Sequence, residues 1–287
     1  MNKTSNKLFS LTTLKVERNL PEIIVVTSGK GGVGKTFFSV NLAVTFSRFK
    51  KKILLIDADI HLGNVDLFLG LRTKYSIADV ISGEKNLSDV IIKGPGGIDI
   101  LPASSAVKDL LDEEDAALQR LHQAFSKFEH EYDKVVVDTG AGISKNVMSF
   151  VLGADKIFLV VTPDPASIAD AYGMIKIILQ NQEYAPILVM ANMVKNEAEG
   201  ESLYSKMNLM VQRFLNSQIY FGGYMLKDPL VADSIKMQKP LVISHPYSAP
   251  NNLIRMALRR IIGAQGKDSS QRKGFFNRVI ENRNLSV

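Results

Sequence analysis

The chain has 287 residues, of which 46% are hydrophobic, enough to build one large α/β domain around a substantial core. It contains no cysteine, which excludes disulfides, cysteine-ligated zinc, thiol catalysis and thiolate-held iron–sulfur clusters. The N-terminal sequence has no apolar run long enough for a signal peptide, and no segment approaches the roughly 20 apolar residues of a membrane-spanning helix. We therefore expect a cytoplasmic protein.

The net charge of +6 is concentrated at the two ends of the chain. Residues 1–20 carry a net charge of +3, residues 267–287 carry another +3, and the body between them is neutral. Basic ends on a neutral body indicate that the ends contact an anionic surface, whereas solvated tails that aid solubility are the alternative. The chain thus divides into a basic extension (1–20), an α/β domain (21–264), and a flexible linker with a terminal helix (265–287).

Apolar runs alternate with helix-length segments along the body. Strands are predicted at 23–27, 53–56, 98–101, 135–137, 157–161, 187–191 and near 218–224. Helices are predicted at 34–48, 105–131, 143–152, 166–181, 200–216 and 250–263. Continuous β-branched runs between helices predict an α/β fold: a single-domain, doubly wound, mostly parallel sheet with helices on both faces.

The first strand runs into a glycine-rich loop, "TSGKGGVGKT", at residues 27–36. A strand that ends in glycines and continues into a helix directs backbone N–H groups and the helix N-terminus at one point, where a phosphate fits. In this pattern Lys35 reaches the β- and γ-phosphates and the Thr36 hydroxyl ligates Mg²⁺, so ATP or ADP with Mg²⁺ is the expected ligand. The expected contacts are Gly29, Gly31, Gly32, Val33, Gly34, Lys35, Thr36 and Phe37.

Three aspartates follow predicted strands. Asp57 and Asp59 lie in "LLIDADIHLGNVD", and Asp138 lies in "VVVDTGAG". Ligands of a doubly wound sheet bind at the carboxyl ends of its strands, so these side chains should face the phosphates. Of the first pair, one acid can hold Mg²⁺ through water and the other can orient the attacking water, while Asp138 is expected to be a further Mg²⁺ anchor.

"KGGVGKT", "DAD" and "DTGAG" together resemble the MinD/ParA class of deviant phosphate-loop (deviant Walker A, SIMIBI) ATPases over roughly residues 22–264. The resemblance implies a slow, Mg²⁺-dependent ATPase that dimerises around ATP. It implies that Lys30 is the signature lysine, which crosses the dimer to the partner's nucleotide and stabilises phosphoryl charge only when two subunits meet. The other implied roles are water positioning by Asp59, metal anchoring by Asp138, adenine reading by Asn192, and closure over the base by Asp228 and Pro229.

Residues 221–258 resemble the flagellar-number regulators of the FlhG/FleN (YlxH) type within this class. That likeness implies control of flagellar number or placement, with an SRP-type GTPase and a switch or C-ring component as partners. Residues 1–20 lack the Asp-Gln-Ala-type segment with which many members stimulate the GTPase, so direct activation is not implied.

Other functions remain possible within and beside this class. A MinD-type division-site ATPase is one, and a ParA-type DNA-partitioning ATPase is another, supported by Arg255, Arg259 and Arg260. The neutral body counts against specific DNA binding. The absence of cysteine argues against an iron–sulfur carrier of related fold, and Asp59 argues against a binding module that never hydrolyses ATP.

The C-terminal stretch "RKGFFNRVIENRNL" (272–285) forms a basic amphipathic segment on a helical wheel. It is similar to the membrane-targeting helix of the MinD class and predicts reversible, ATP-dependent attachment to the inner face of an anionic membrane. A disordered tail and a helix docked on the body are the alternatives. The predicted apolar face comprises Phe275, Phe276, Val279 and Ile280, flanked by Arg272, Lys273, Arg278 and Arg283.

Overall fold

The computed structural model describes residues 20–59, 63–103, 115–181, 185–264 and 273–283. Eight strands form one sheet in the order β3-β4-β2-β5-β1-β6-β7-β8. All neighbouring strands pair in parallel except β3 and β4, which confirms the predicted mostly parallel sheet. The strands are β1 (Glu22–Ser28), β2 (Ile53–Ala58), β3 (Ile92–Lys93), β4 (Asp99–Leu101), β5 (Lys134–Ala141), β6 (Lys156–Val161), β7 (Ile187–Val194) and β8 (Tyr220–Leu226).

Helices connect the strands and cover both faces of the sheet. The longer ones are α1 (Lys35–Ser47), α5 (Asp115–Ser126), α6 (Lys145–Leu152), α7 (Pro165–Asn181), α8 (Glu197–Leu215), α9 (Pro229–Lys236), α11 (Ala249–Gly263) and α12 (Phe275–Arg283). The short ones are α2 (Val65–Phe68), α3 (Ile77–Ile81), α4 (Leu87–Val90) and α10 (Leu241–Ser244).

Most predicted elements lie within a few residues of the structure's bounds. The predicted helix 105–131 is described only as α5 and a 3₁₀ turn at Glu129–Glu131, since residues 104–114 fall outside the described part of the chain. The sequence pattern did not indicate β3 or the short helices, because elements of two to five residues are too short to show a period. The basic extension, residues 1–19, also falls outside the described part.

Two apolar layers sandwich the sheet. One contains residues of α1, α10 and α11, including Phe38 and Phe46, and the other contains residues of α3 and α5–α8 together with α12. Because the central strands are covered on both faces, their sequences are continuously apolar rather than alternating. Within the described residues, no helix is both long and apolar enough to cross a bilayer.

The strand order brings the polar strand ends together. β5 lies between β1 and β2, and Asp57 of β2 is the register partner of Asp138 of β5. The glycine-rich loop follows β1 at the same edge of the sheet. Since all three strands are parallel, their carboxyl ends form a single site.

Candidate active site

The glycine-rich loop presents an uncapped helix N-terminus. α1 begins at Lys35 after Gly34, whose φ is +98°, with no side-chain cap and no acidic residue in its first turn. Only glycine suits this position, because a Cβ on Gly34 would lie 2.4 Å from Asn192 Nδ2. The partial positive charge at the start of α1 is therefore available to an anionic ligand.

A cleft of about 590 Å³ opens at this N-terminus, a size that suits a nucleotide. Predicted site residues in its wall are Gly31, Gly32, Gly34, Lys35, Thr36, Phe37 and Asp59. The wall also includes residues that sequence reasoning did not single out, namely Asn64, Phe68, Ser144, Asn146, Val147 and Ile235.

Asp138 is held by two hydroxyl groups of α1. Thr36 Oγ1 donates to Asp138 Oδ2 at 2.7 Å, and Ser39 Oγ donates to Asp138 Oδ1 at 2.8 Å. Ser39 is fully buried and was missed from the sequence. Its position three residues after Thr36, one helical turn along the same face, was the signal that could have identified it.

Burial raises the pKa of the two carboxyl groups at this strand edge. Burial, and next the charge of Asp138, raise the pKa of Asp57 to about 7. Burial also raises the pKa of Asp138 to about 6, against the hydrogen bonds from Thr36 and Ser39. Two buried carboxylates and a threonine hydroxyl at one strand edge form a donor set that a hard divalent cation suits, since the cation relieves their repulsion.

These residues fit Mg²⁺ that is carried mainly by a nucleotide. Within the described residues no group of three or more His, Cys, Asp or Glu side chains converges as a self-sufficient metal site. Mg²⁺ commonly takes one or two protein ligands, with phosphate oxygens and water completing its octahedron. Thr36, Asp57 and Asp138 are therefore placed to contribute directly or through water.

Lys35 and Asp59 lie on the cleft wall beside this corner. Lys35 is mostly buried, and burial lowers the pKa of its ammonium group, while the charges of Asp138 and Asp59 oppose that shift. The Asp59 backbone N–H donates to Asp57 Oδ1 at 3.1 Å, which fixes the turn after β2. A Cβ on Gly140 would lie 3.3 Å from Asp59 Oδ1, so the Asp59 carboxylate lies close to the last residues of β5.

Asn192 braces the loop from the protein side. Its Nδ2 donates to the Val33 carbonyl at 2.7 Å, and its Oδ1 accepts the Met193 N–H at 2.9 Å. Asp228 caps α9 by accepting the Leu230 N–H at 2.8 Å, and Pro229 is the first residue of that helix. Asn192, Asp228 and Pro229 are not among the residues that line the cleft, so their adenine contacts stay predictions.

Lys30 does not line the cleft either. Its Nζ lies 2.9 Å from Asp164 Oδ1, and both side chains are more than 40% exposed. The structure therefore separates the two lysines of the loop: Lys35 lies at the cleft wall, and Lys30 is bound to a carboxylate of its own subunit.

The C-terminal helix α12 docks against α5 and α6. Phe275, Phe276 and Val279 are each 1% exposed, and Ile280 packs beside them. The Phe276 ring lies 4.7 Å from the Phe125 ring, centroid to centroid. In this conformation the predicted membrane-binding face is therefore covered by the protein, and contact with a bilayer requires α12 to leave its groove.

The docked helix α12 also makes polar contacts with the body of the protein. Arg278, which the helical wheel predicts to flank the apolar face, has a side chain that is only 9% exposed, and its Nη1 lies 2.8 Å from the buried Asp155 Oδ1. The Phe275 N–H donates to Glu129 Oε2 at 3.2 Å, which caps the first turn, and burial raises the pKa of Glu129. Lys273 stays on the surface and pairs with Glu281 at 2.7 Å, whereas Arg272 lies outside the described residues.

Known proteins share this sequence and this fold. A family model described as an AAA domain matches residues 21–190. The chain is 38% identical over 240 residues to the antiactivator FleN of Pseudomonas aeruginosa, covering 84% of this chain and 86% of FleN. It is 30% identical to the flagellum site-determining protein YlxH of Helicobacter pylori, covering 92% of this chain and 90% of YlxH.

The fold also matches a solved MinD structure. The septum site-determining protein MinD of Pyrococcus horikoshii, complexed with Mg-ADP, superposes with a TM-score of 0.70 at 22% identity, covering 85% of this chain and 97% of that one. Mg²⁺-dependent nucleotide hydrolysis needs a loop that binds phosphate, hydroxyl and carboxylate groups that hold the metal, and an acid that orients water. The site provides all three. The chain therefore belongs to the MinD/ParA class of phosphate-loop ATPases, on its FlhG/FleN (YlxH-type) branch, and its cofactors are ATP or ADP and Mg²⁺.

Proposed function

We propose that this ATPase is a switch that regulates flagellar number or placement. ATP drives it into a homodimer, the dimer exposes α12 to an anionic membrane, and hydrolysis returns it to the cytoplasm. The proposed membrane attachment is supported by α12, an amphipathic helix whose apolar face is buried in a groove of the protein. The identity to FleN and YlxH, an antiactivator and a flagellum site-determining protein, supports the flagellar part.

A single rigid element connects the cleft to the stored helix. α6 follows the loop after β5 (residues 142–144, the β5 loop), and Asn146 and Val147 of its first turn line the cleft. At its other end the Phe150 ring lies 6.2 Å from the Phe275 ring. A helix of eight residues spans about 12 Å and moves as a unit. A shift of the β5 loop around a γ-phosphate would thus move the wall of the α12 groove.

The groove and a bilayer offer α12 similar apolar environments. Burying each large apolar side chain contributes about 1.5–3 kcal/mol in either place. The docked state adds the Arg278–Asp155 ion pair, yet it also leaves Arg278 Nε without a hydrogen-bond acceptor among the described residues, a penalty of about 1–3 kcal/mol. The balance is therefore close enough for dimerisation to tip it, since two tails on one dimer bind with a high effective concentration.

Vesicle co-sedimentation tests the membrane part. Wild type should sediment with phosphatidylglycerol-containing vesicles in ATP and remain in solution in ADP. Phe276→Glu should stay in solution in both nucleotides, because a charge would enter the acyl boundary. A chain that ends at Ala264 is the matched control without the helix. If that truncated chain sediments in ATP as well as wild type does, α12 is not the anchor.

The flagellar part is tested in the host cell. Deletion of the gene should change the number or position of flagella counted by electron microscopy, and the Lys35→Ala variant should fail to restore them. Normal flagella in the deletion strain, together with misplaced division septa, would favour a MinD-type role instead.

DNA partitioning is the second candidate, on one observation. Arg255 and Arg259 lie one turn apart on the exposed side of α11, where they can contact phosphates, whereas Arg260 stacks on the Phe221 ring at 4.6 Å. DNA binding measured in the vesicle buffer decides between the two. Salt-sensitive DNA binding that requires ATP and is lost in Arg255→Ala would favour partitioning.

A further inference from the structure

The two lysines of the phosphate loop have different partners. Lys35 lines the cleft, but Lys30 Nζ contacts Asp164 Oδ1 at 2.9 Å. Asp164 lies in the turn between β6 and α7, and like Lys30 it is absent from the cleft wall. The contact therefore belongs to the resting arrangement of one subunit rather than to nucleotide binding within it.

Asp164 is held rigidly, so the lysine is the mobile member of the pair. Asp164 Oδ1 also accepts the Ser167 N–H at 3.0 Å, and its Oδ2 accepts the Thr162 hydroxyl at 2.5 Å. These two bonds fix the carboxylate as the N-cap of α7. The hydrogen bond from Thr162, followed by those from Ser167 and Lys30, holds the pKa of Asp164 well below its usual range, so the carboxylate is charged at neutral pH.

The backbone geometry brings α7 against the loop. A Cβ on Gly29 would lie 2.4 Å from the backbone carbonyl carbon of Asp170, so the residue before Lys30 packs directly on α7. Lys30 is thereby delivered to the start of this helix. A lysine that is to reach across a dimer must first leave the carboxylate that holds it there.

We infer that Asp164 is a positioning residue that retains Lys30 within its own subunit and so restrains dimerisation until ATP is bound. This inference rests on the proposed function, because it needs an ATP-bound dimer in which Lys30 acts across the interface. Freeing each lysine forfeits one exposed ion pair, and a dimer frees two. If each ion pair changes the equilibrium two- to five-fold, breaking both pairs lowers the association constant of the dimer roughly 4- to 25-fold.

Asp164→Asn tests the restraint while keeping the cap. Asparagine caps a helix about as well as aspartate, but it removes the charge that attracts Lys30. With AMPPNP and Mg²⁺, sedimentation velocity should show that the association constant of the Asp164→Asn dimer is roughly 4- to 25-fold higher than that of wild type. The ATPase rate per subunit should rise in dilute protein and converge with wild type at high protein concentration, because assembly changes and the chemical step does not.

Asp133→Asn is the matched control. Asp133 also accepts one exposed lysine, Lys51 at 3.1 Å, and one backbone N–H, that of Lys52 at 2.8 Å, but it precedes β5, at the opposite edge of the sheet. Its dimerisation constant should equal that of wild type. ADP affinity should be unchanged in Asp164→Asn, and its melting temperature should fall no further than that of Asp133→Asn, since each variant loses one exposed ion pair; a merely structural role for Asp164 would lower both quantities further.

The double variant Lys30→Ala/Asp164→Asn identifies the cause. Because Lys30→Ala alone is expected to stay monomeric, the double variant should stay monomeric too if Asp164 acts through Lys30; an ATP-dependent dimer in the double variant would show that Asp164 acts without Lys30 and overturns the inference. Unchanged dimerisation in Asp164→Asn also overturns it, and weaker dimerisation shows instead that Asp164 orients Lys30 inside the dimer. Should neither wild type nor Asp164→Asn dimerise with AMPPNP, the proposed function itself fails, whereas a dimer in Asp164→Asn alone supports both.

Discussion

Replacing Arg278 with methionine should release the C-terminal helix without altering its apolar face. In the docked state Arg278 Nη1 lies 2.8 Å from Asp155 Oδ1, and both side chains are buried. Removing one member of a buried ion pair typically costs about 3–5 kcal/mol, because the other charge stays buried without its counter-ion. Asp155 Oδ2 still accepts the Ile23 N–H at 2.8 Å, so the lower end of that range applies.

A loss of about 3 kcal/mol multiplies the undocked population by roughly 150. The loss is specific to docking, since water solvates Asp155 once α12 leaves. Hydrogen exchange should therefore accelerate at the backbone amides of α12, and vesicle binding should appear in ADP, where wild type remains in solution. This outcome is the reverse of that for Phe276→Glu, which releases the helix but prevents insertion.

Arg255→Met controls for the loss of a positive charge, because Arg255 is exposed on α11. It should leave the exchange of α12 and the ADP-state vesicle binding as in wild type. If Arg278→Met retains wild-type protection at residues 275–283 and stays off vesicles in ADP, the ion pair does not hold the helix.

Four further outcomes follow from the site. Lys35→Ala should abolish nucleotide binding measured by calorimetry, whereas Lys30→Ala should bind ATP and fail to dimerise; equal losses of affinity would show that Lys30 acts within its own subunit. Asp59→Ala should accumulate the ATP dimer in sedimentation velocity, because ATP stays bound while the water is not oriented, and a monomer in saturating ATP would contradict that role. Ser39→Ala should weaken Mg²⁺-dependent ATP binding roughly ten-fold by removing one hydrogen bond to a charged carboxylate, which an Mg²⁺ titration measures. Burial of the Asp57 carboxyl raises its pKa from 3.8 to about 7, so the nucleotide-free protein loses stability as pH rises from about 4 to about 7. Asp57→Asn should therefore raise the melting temperature more at pH 8 than at pH 5.

Much of the site could be predicted from the sequence, because the residues that bind phosphate lie close together along the chain. The glycines, Lys35 and Thr36 form one turn between a strand and a helix, so their spacing alone specifies where a phosphate binds. Asp138 ends an apolar run, and the sheet topology predicted from alternating runs and helices places every such end at one edge. The structure confirms that β1, β2 and β5 are neighbouring parallel strands, so that their carboxyl ends lie at one edge of the sheet.

Contacts between side chains that are far apart in the sequence could not be predicted, because the fold and not the sequence spacing determines which side chains meet. Asn192 and Val33 are 159 positions apart, and their hydrogen bond depends on how the end of β7 packs behind the loop. The Lys30–Asp164 contact spans 134 positions and depends on α7 lying against the loop.

The C-terminal helix shows most clearly what the sequence determines and what only the tertiary structure decides. Its sequence determined that one face is apolar, and with it the need for an apolar surface to cover that face. A bilayer and a protein groove meet that need equally well, so amphipathicity alone could not choose between them. The groove between α5 and α6, and Asp155 at the position where Arg278 arrives, were decided only by the tertiary structure, because they bring together residues more than 100 positions apart.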